Sequence, residues 1–195
     1  MLPAAEAQFN NPRGVALTGK GELLIADTDN HRIRRLAPDG NVTTIAGNGT
    51  VLSEASAELR ALAELLSAPV ATTLMAKGIF PEDHPLACGM SGIWGTRVAN
   101  DTCRQADVIL AVGTAFGEAD CSSWHPSHTF AIPPSRLIQI DVDPAEIGRN
   151  YPVAIGAVAD LKPALAVLNR VARELAPKGV KRAKQVAEME ANRKA

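Results

Sequence analysis

Glycines and acidic residues follow several apolar runs of this sequence, and this pairing of residue types suits the binding of a nucleotide. Gly47-Asn48-Gly49 follows one run and Gly113-Thr114 follows another. Glycines and helix N-termini can present backbone N–H groups to a phosphate without interference from side chains. A carboxylate at a strand end can accept hydrogen bonds from ribose hydroxyls. The other candidates of this kind are Thr73-Leu74-Met75, Asp141-Val142 and Asp160.

Each of these residues, taken alone, is also typical of a turn or a helix cap. The alternative to a nucleotide site is therefore a purely structural role for the same glycines and aspartates. Their position after successive predicted strands is what favours a shared binding crevice.

The segments that carry these candidates have the pattern of a doubly wound α/β fold. Between residues 42 and 176, short apolar runs alternate with segments of helical periodicity, such as that of Leu161, Leu165 and Leu168. Apolar strands that alternate with helices indicate a parallel sheet covered on both faces. The predicted strands are 42–46, 69–73, 108–112, 137–141 and 153–155. The predicted helices are 54–66, 96–106 and 161–175. Ser53 and Asp143 are each predicted to cap a helix that follows them.

The first 46 residues have a different pattern, which predicts a small N-terminal antiparallel β meander. Four short apolar runs are separated by turn sequences rich in Gly, Asp and Asn. The fourth run, Val42 to Ala46, fits either the meander or the first strand of the α/β sheet. We predict that it lies in the parallel sheet, because that placement buries both of its faces.

Other reactive side chains do not form a recognisable catalytic or metal site. Asp83-His84 fits a loop contact, and Pro126 disfavours a helix that would bring His125 and His128 onto one metal ion. Cys121 lies in an irregular segment, where a buried apolar thiol is expected rather than a nucleophile. We therefore predict no catalytic residue and no metal ligand in this sequence.

Composition excludes several classes of protein. Twenty Lys and Arg residues against 21 Asp and Glu leave a net charge of -1, so a nucleic-acid or membrane-surface binder is not expected. The longest uncharged stretch, residues 121–135, has 15 residues, fewer than the roughly 20 of a membrane span. Three cysteines without a Cys-x-x-Cys pair, and no signal-peptide pattern, favour a cytoplasmic protein.

Residues 177–195 are basic and are expected to form a solvated or frayed tail.

Longer strings between residues 56 and 148 occur in an order that is typical of one family. They include Met75-Ala76-Lys77-Gly78 and Asp141-Val142-Asp143-Pro144-Ala145-Glu146, and they extend over residues 56–59, 69–78, 81–86, 89–96, 106–113 and 140–148. On these strings, residues 46–176 resemble the Rossmann-like central domain of thiamine-diphosphate-dependent enzymes, closest to the acetolactate synthase group.

The resemblance implies a non-catalytic domain that binds FAD or ADP in some members and mediates contacts between subunits or with other enzyme domains. By position, the nucleotide contacts would be the candidates named above together with Gly92-Ile93-Trp94. Flavin-binding members have an arginine in a Gly-x-Arg-Phe string, whereas this sequence has Ala115 there, which removes a charge-assisted bond to pyrophosphate. In the family, thiamine diphosphate and Mg²⁺ bind to other domains. The whole enzymes are transferases or lyases that act on 2-oxo acids. Because no Gly-Asp-Gly motif occurs in this sequence, we expect no thiamine catalysis by this chain alone.

The first fifty residues resemble a single NHL repeat, a blade of a β-propeller. The resemblance rests on Pro12-Arg13-Gly14-Val15-Ala16 and on the string Asp27-Thr28-Asp29-Asn30-His31-Arg32-Ile33. The sequence therefore predicts three parts: an NHL-like blade over 1–45, a central domain over 46–176 and a basic linker over 177–195. The expected partners are a small-molecule nucleotide and a second copy of the chain. The alternative is an interaction scaffold, or a chimera, with no bound nucleotide.

Overall fold

The computed structural model describes residues 12–17, 23–27, 32–36 and 40–194, with side chains over 40–193. Its strands are β1 (Pro12–Leu17), β2 (Leu23–Asp27), β3 (Arg32–Leu36), β4 (Val42–Ala46), β5 (Val70–Thr72), β6 (Ala87–Met90), β7 (Val108–Val112), β8 (Arg136–Asp141) and β9 (Ile155–Val158). Its helices are α1 (Asn48–Leu52), α2 (Ser56–Leu66), α3 (Arg97–Arg104), α4 (Glu118–Cys121), α5 (Leu161–Leu175) and α6 (Ala183–Lys194), with a 3-10 turn at Leu74–Ala76.

Strands β4 to β9 form a parallel sheet of six strands in the order β6-β5-β4-β7-β8-β9. The prediction for Val42–Ala46 is confirmed, because β4 lies at the centre of this sheet and pairs in parallel with both β5 and β7. Its last four residues are buried, as expected for a strand covered on both faces. The chain moves outward from β4 to β6 and then returns to the other side of β4 with β7. The topological switch point therefore lies between β4 and β7.

Alternate residues of the central strands build two cores, one on each face of the sheet. Leu110 and Val112 face a cluster that includes the apolar residues of α2 and α5. Ile109 and Ala111 face a cluster that includes the small residues of α3 and Met189 of α6. This period of two, with helices on both faces, confirms the doubly wound α/β class predicted from the sequence.

The amino-terminal strands form a separate three-stranded sheet. Strand β1 pairs with β2, and β2 pairs with β3, in antiparallel register. The predicted meander is therefore present with three strands, since its fourth run belongs to the parallel sheet. The turn residues 28–31, which carry the most specific part of the NHL string, lie outside the described residues.

Three local predictions are wrong. Ser53 does not cap α2; it ends the short helix α1, where its hydroxyl donates to the carbonyl of Gly49 at 2.6 Å. Asp143 caps a turn and not a helix, because its carboxylate accepts from the N–H of Ala145 at 2.8 Å and the chain then reverses through Gly148, at a φ of +74°. The last strand begins at Ile155, where it can pair with β8, and not at Val153.

The expectation of a solvated tail over residues 177–195 is also corrected. Helix α6 packs onto the domain, and Gln185 and Met189 are buried. The Gln185 amide accepts from the N–H of Val42 at 3.2 Å and donates to its carbonyl at 3.1 Å. The guanidinium of Arg182 donates to the carbonyl of Leu66. The boundaries near residues 45 and 176 stay predictions, although these contacts join α6 to the α/β core.

A search of the described helices for a membrane span finds none of sufficient length and apolarity.

We predict that Gln185→Ala destabilises the fold by about 1–3 kcal/mol, because it leaves the N–H and carbonyl of Val42 without their side-chain partner in a partly buried position. Urea unfolding followed by circular dichroism measures the change. Lys184→Ala, on the exposed face of the same helix, is the matched control and should change stability by less than about 0.5 kcal/mol. Equal effects of the two substitutions would contradict the packing role of α6.

Candidate functional site

All six candidate segments lie at the carboxyl edge of the parallel sheet, one after each strand. In spatial order they are Gly92-Ile93-Trp94 after β6, Thr73-Leu74-Met75 after β5, Gly47-Asn48-Gly49 after β4, Gly113-Thr114 after β7, Asp141-Val142 at the end of β8 and Asp160 after β9. Neighbouring strands are about 4.8 Å apart, so this row spans roughly 24 Å. The structure thus brings the sequence-predicted residues together, while their contact with a ligand stays a prediction.

Sequence reasoning found these positions but missed strand β6, which carries Gly92 to Trp94. The strand has the sequence Ala-Cys-Gly-Met, with no β-branched residue, and it forms one end of the sheet. Only the family resemblance pointed to the residues that follow it.

At the switch point the glycines allow two backbone segments to touch. A Cβ on Gly49 would lie 2.8 Å from the Cα of Gly113, and a Cβ on Gly47 would lie 2.6 Å from the Cα of Thr114. A Cβ on Gly113 would lie 2.6 Å from Leu161 at the start of α5. These distances are shorter than any normal carbon–carbon contact, so the glycines are required by the packing of the protein itself.

The backbone N–H groups of the same glycines are already engaged. Gly47 donates to the carbonyl of Val112 at 2.9 Å, Gly49 donates to that of Gly113 at 3.0 Å, and Gly113 donates to that of Ile140 at 2.9 Å. The hydroxyl of Thr50 adds a bond to the carbonyl of Val112 at 3.0 Å. These N–H groups are therefore not free to hold a phosphate, which supports the structural alternative for this part of the edge.

The outer part of the edge exposes large apolar side chains. Met75 and Trp94 are 68% and 66% exposed, and Ile93 and Leu74 are 57% and 47% exposed. They follow the neighbouring strands β5 and β6, so they form one patch, which we call the apolar rim. Val142, after β8, is exposed to the same extent as Met75. Grouped exposed apolar residues of this size are typical of a binding surface.

The two strand-end carboxylates hold local backbone. Asp141 is buried, and its carboxylate accepts from the N–H of Asp143 at 3.1 Å. Asp160 caps α5, accepting from the N–H of Lys162 at 3.0 Å. Each carboxylate carries further lone pairs, so these bonds leave acceptor capacity for a ligand hydroxyl.

Asp120 is a third acidic residue at this edge, and sequence reasoning did not select it. It lies in α4, which contacts the apolar rim through the bond from the Ile93 N–H to the Ala119 carbonyl, 2.8 Å. The Asp120 carboxylate accepts from the N–H of Leu74, yet partial burial raises its pKa above the usual value, and burial is the larger effect. No pattern in the sequence marks Asp120, because its position depends on three loops meeting in space.

The arginine position of the flavin-binding string is occupied by Ala115. Its carbonyl accepts from the side-chain amide of Asn150 at 2.9 Å, so this loop is tied to the turn before β9. The nearby cation Arg149 is paired with Glu146 at 2.7 Å. A nucleotide diphosphate at the switch point would therefore find no guanidinium at position 115.

The remaining reactive residues are structural in the described part of the chain. Cys121 is buried, and burial raises the pKa of its thiol to about 12, so it is no nucleophile at neutral pH. His84 contacts the Glu64 carboxylate at 3.2 Å. His125 and His128 contact each other edge to face, and within the residues described no group of three His, Cys, Asp or Glu side chains could hold a metal ion.

Comparison with known proteins gives two family matches. Residues 31–168 match the family model described as the thiamine pyrophosphate enzyme central domain. Residues 9–36 match the NHL repeat.

Individual relatives are acetolactate synthases. A probable acetolactate synthase large subunit of Methanocaldococcus jannaschii is 46% identical over 118 residues, which are 60% of this chain and 19% of that protein. The acetolactate synthase of Mycobacterium avium is 38% identical over 142 residues, 73% of this chain and 22% of that protein. The large subunit of Corynebacterium glutamicum is 41% identical over 127 residues. The chain thus spans about a fifth of the length of the relatives it matches.

We predict that Gly47→Ala destabilises the domain by about 3 kcal/mol or more, because the added methyl group overlaps the backbone at Gly113 and Thr114. Gly117→Ala is the matched control: it lies in the same edge, and its Cβ would meet only Asp120, at 3.5 Å. Chemical unfolding of both variants measures the difference. A Gly47→Ala protein as stable as the control would show that the two turns do not touch as described.

Proposed function

Because the chain belongs to the family of thiamine pyrophosphate enzyme central domains, we propose that it is the non-catalytic, nucleotide-binding and subunit-contact part of an acetolactate-synthase-like enzyme. The proposal is supported by the relatives named above, which are acetolactate synthases, and by the row of candidate residues at the carboxyl edge. Ligands of open α/β sheets bind at this edge, near the switch point.

The apolar rim next to strand-end carboxylates is the observation that carries the proposal. An adenine ring can stack on the exposed face of Trp94 and pack against Met75 and Ile93. The remaining lone pairs of Asp141 can accept hydrogen bonds from ribose hydroxyls. An apolar surface with a few acceptors suits the nucleoside half of a nucleotide.

The diphosphate of a nucleotide fits this edge less well than its nucleoside does, and this favours ADP over FAD as the ligand. The N–H groups of Gly47, Gly49 and Gly113 are engaged within the protein, and Ala115 supplies no charge. The diphosphate of ADP is terminal and can extend into solvent. That of FAD joins two ring systems and must lie against the edge itself, next to carboxylates that repel it.

For the whole enzyme we propose thiamine-diphosphate- and Mg²⁺-dependent decarboxylation and carboligation of 2-oxo acids, in the cytoplasm, with both cofactors held outside the described residues. The described residues supply neither a metal cluster nor a nucleophile of lowered pKa. Incubation of the pure chain with pyruvate, thiamine diphosphate and Mg²⁺ should therefore give no product. Turnover would contradict the non-catalytic role.

A second candidate function is an interaction scaffold that holds no nucleotide. The observation in its favour is that every glycine N–H at the switch point, and one oxygen of Asp141 and of Asp160, already has a partner within the chain. The apolar rim would then contact protein and not a base.

We predict that isothermal titration of the chain gives binding of ADP and weaker or no binding of FAD and NAD. The reason is that only ADP places its diphosphate at the end of the molecule, away from the acidic edge. If none of the three nucleotides releases heat, the result would support the scaffold instead. Tighter binding of FAD than of ADP would contradict the inference that the acidic edge disfavours an internal diphosphate.

Two variants sharpen this titration. Asp120→Asn removes a carboxylate beside the rim while keeping an acceptor for the Leu74 N–H, so it should tighten ADP binding several-fold. Glu118→Gln changes the charge equally in the same helix but at an exposed position, and it is the matched control. An equal response of the two variants would mean that net charge, and not the position of Asp120, governs affinity.

A further inference from the structure

Helix α6 is fastened to the α/β core by side chains and not by backbone hydrogen bonds. The last backbone bond before it runs from the N–H of Val180 to the carbonyl of Leu65, at 2.8 Å. We call residues 181–194 the α6 strap. Its further hydrogen bonds to the described core come from three side chains, those of Arg182, Gln185 and Arg193. The strap can therefore leave the core without breaking a backbone bond to it.

The bonds of the strap lie at the amino ends of β4 and β6. Gln185 holds both polar backbone groups of Val42, the first residue of β4, and its amide donates to the Thr43 hydroxyl at 3.2 Å. The Arg193 guanidinium donates to the carbonyl of Ala87, the first residue of β6. The strap thus crosses the sheet at the edge opposite the candidate site.

Little apolar surface holds the strap in place. Among residues 183–193 only Gln185 and Met189 are buried, whereas α5 buries four residues. The sulfur of Met189 lies 3.4 Å from that of Cys88. A cavity of about 10 Å³, enough for one water molecule, lies beside this contact and is lined by polar side chains such as Thr102 and Gln105. The seam under the strap is therefore polar and incompletely packed.

Arg182 makes closure of the strap less favourable than its hydrogen bonds suggest. Its guanidinium donates to the carbonyls of Gly40 and Leu66. Burial lowers the pKa of this guanidinium to about 10, and no carboxylate of the described residues forms an ion pair with it. A desolvated cation without a counter-charge is unfavourable, so closure gains less than the same contacts would give to an ion pair.

A released strap would also lose its helical structure. Helix α6 has 12 residues, and isolated helices of this length are marginal in water. The turn before the strap contains Pro177 and Gly179, the latter at a φ of +67°, so α5 does not continue into α6. Release therefore returns conformational entropy to the whole segment at once.

We propose that the α6 strap is a releasable element, which opens and closes as one unit while the six-stranded sheet stays folded. Its release uncovers the thiol of Cys88 and the amino ends of β4 and β6. Opening of one segment without global unfolding requires few buried apolar contacts and many separable bonds, and the strap has both. The inference goes beyond the proposed function and does not depend on nucleotide binding.

Two cysteines of the chain are internal probes of this opening. Cys88 lies under Met189, and burial raises the pKa of its thiol to about 12, so it is unreactive while the strap is closed. Cys121 is also buried, but it lies in α4 at the carboxyl edge, away from the bonds of the strap. Release of the strap exposes Cys88 alone, whereas global unfolding exposes both thiols.

Modification of the folded full chain by N-ethylmaleimide, followed at each cysteine by peptide mass spectrometry, tests the proposal. We expect Cys88 to react faster than Cys121. Its rate should also depend less on added urea, because release of the strap exposes less surface than unfolding does. Where closing is faster than modification, Arg182→Gln should raise the Cys88 rate at least about 10-fold, since it removes charge-assisted bonds made only in the closed form.

Lys184→Gln is the matched control. It removes the same charge two residues further on, from a side chain that is 90% exposed, and it should change the Cys88 rate by less than about 2-fold. A Cys88 rate no faster than that of Cys121, with the same urea dependence, would show that the strap opens only with the whole domain and would overturn the proposal. Equal effects of the two variants would overturn it as well.

Hydrogen exchange of the full chain tests whether the strap opens as one unit. The amides of α6 should share one opening free energy, lower than that of the amides of β4 and β7. Exchange of α6 only together with these central strands would contradict independent release, whatever the thiols show.

Discussion

The close approach of two glycine turns at the centre of the sheet is the constraint on which the rest of the structure depends. Gly49 and Gly113 come so near that a Cβ on either would lie less than 3 Å from the other's Cα. This contact fixes β4 beside β7, at the point where the strand order reverses. It also places the start of α5 against β7, since Leu161 packs where a Cβ of Gly113 would be. The central strands, α1 and α5 therefore converge on three residues without side chains.

The same contact shapes what the carboxyl edge can bind. Because the glycine N–H groups close the gap between the two turns, the floor of the crevice is sealed by the protein's own backbone. In the proposed function, recognition would rest on the side chains around this floor, which are apolar at Met75 and Trp94 and acidic at Asp120 and Asp141. This combination would then favour a flat, donor-bearing nucleoside over a buried diphosphate, and the contacts that the resemblance implies for the glycines stay a prediction.

Much of the fold could be predicted because several of its strands and helices are specified by short stretches of the sequence alone. The apolar runs of β7 and β8, and the helical period of α5, specify those elements without reference to distant residues. The edge strand β6 could not be predicted, since its four residues lack the β-branched side chains that mark a strand. The docking of α6 was also missed, because a basic, weakly amphipathic segment gives no indication that one glutamine will bond to a strand 143 residues earlier.

The candidate site could also be predicted from the sequence only in part. The strand ends could be placed at one edge from the α/β pattern, since parallel strands share their direction. The role of Asp120 could not, because it arises where the α4 turn meets the loops after β5 and β6.

We propose that ligand recognition lies in the side chains around the carboxyl edge and not in the glycine turns. Amide chemical-shift mapping of the ¹⁵N-labelled full chain during titration with ADP tests it most directly. We expect the largest shifts at Met75, Trp94 and Val142, with small shifts at Gly47 and Gly49 and none at Gln185. Shifts that are largest at the two glycines, or that fall outside this edge at saturation, would contradict it.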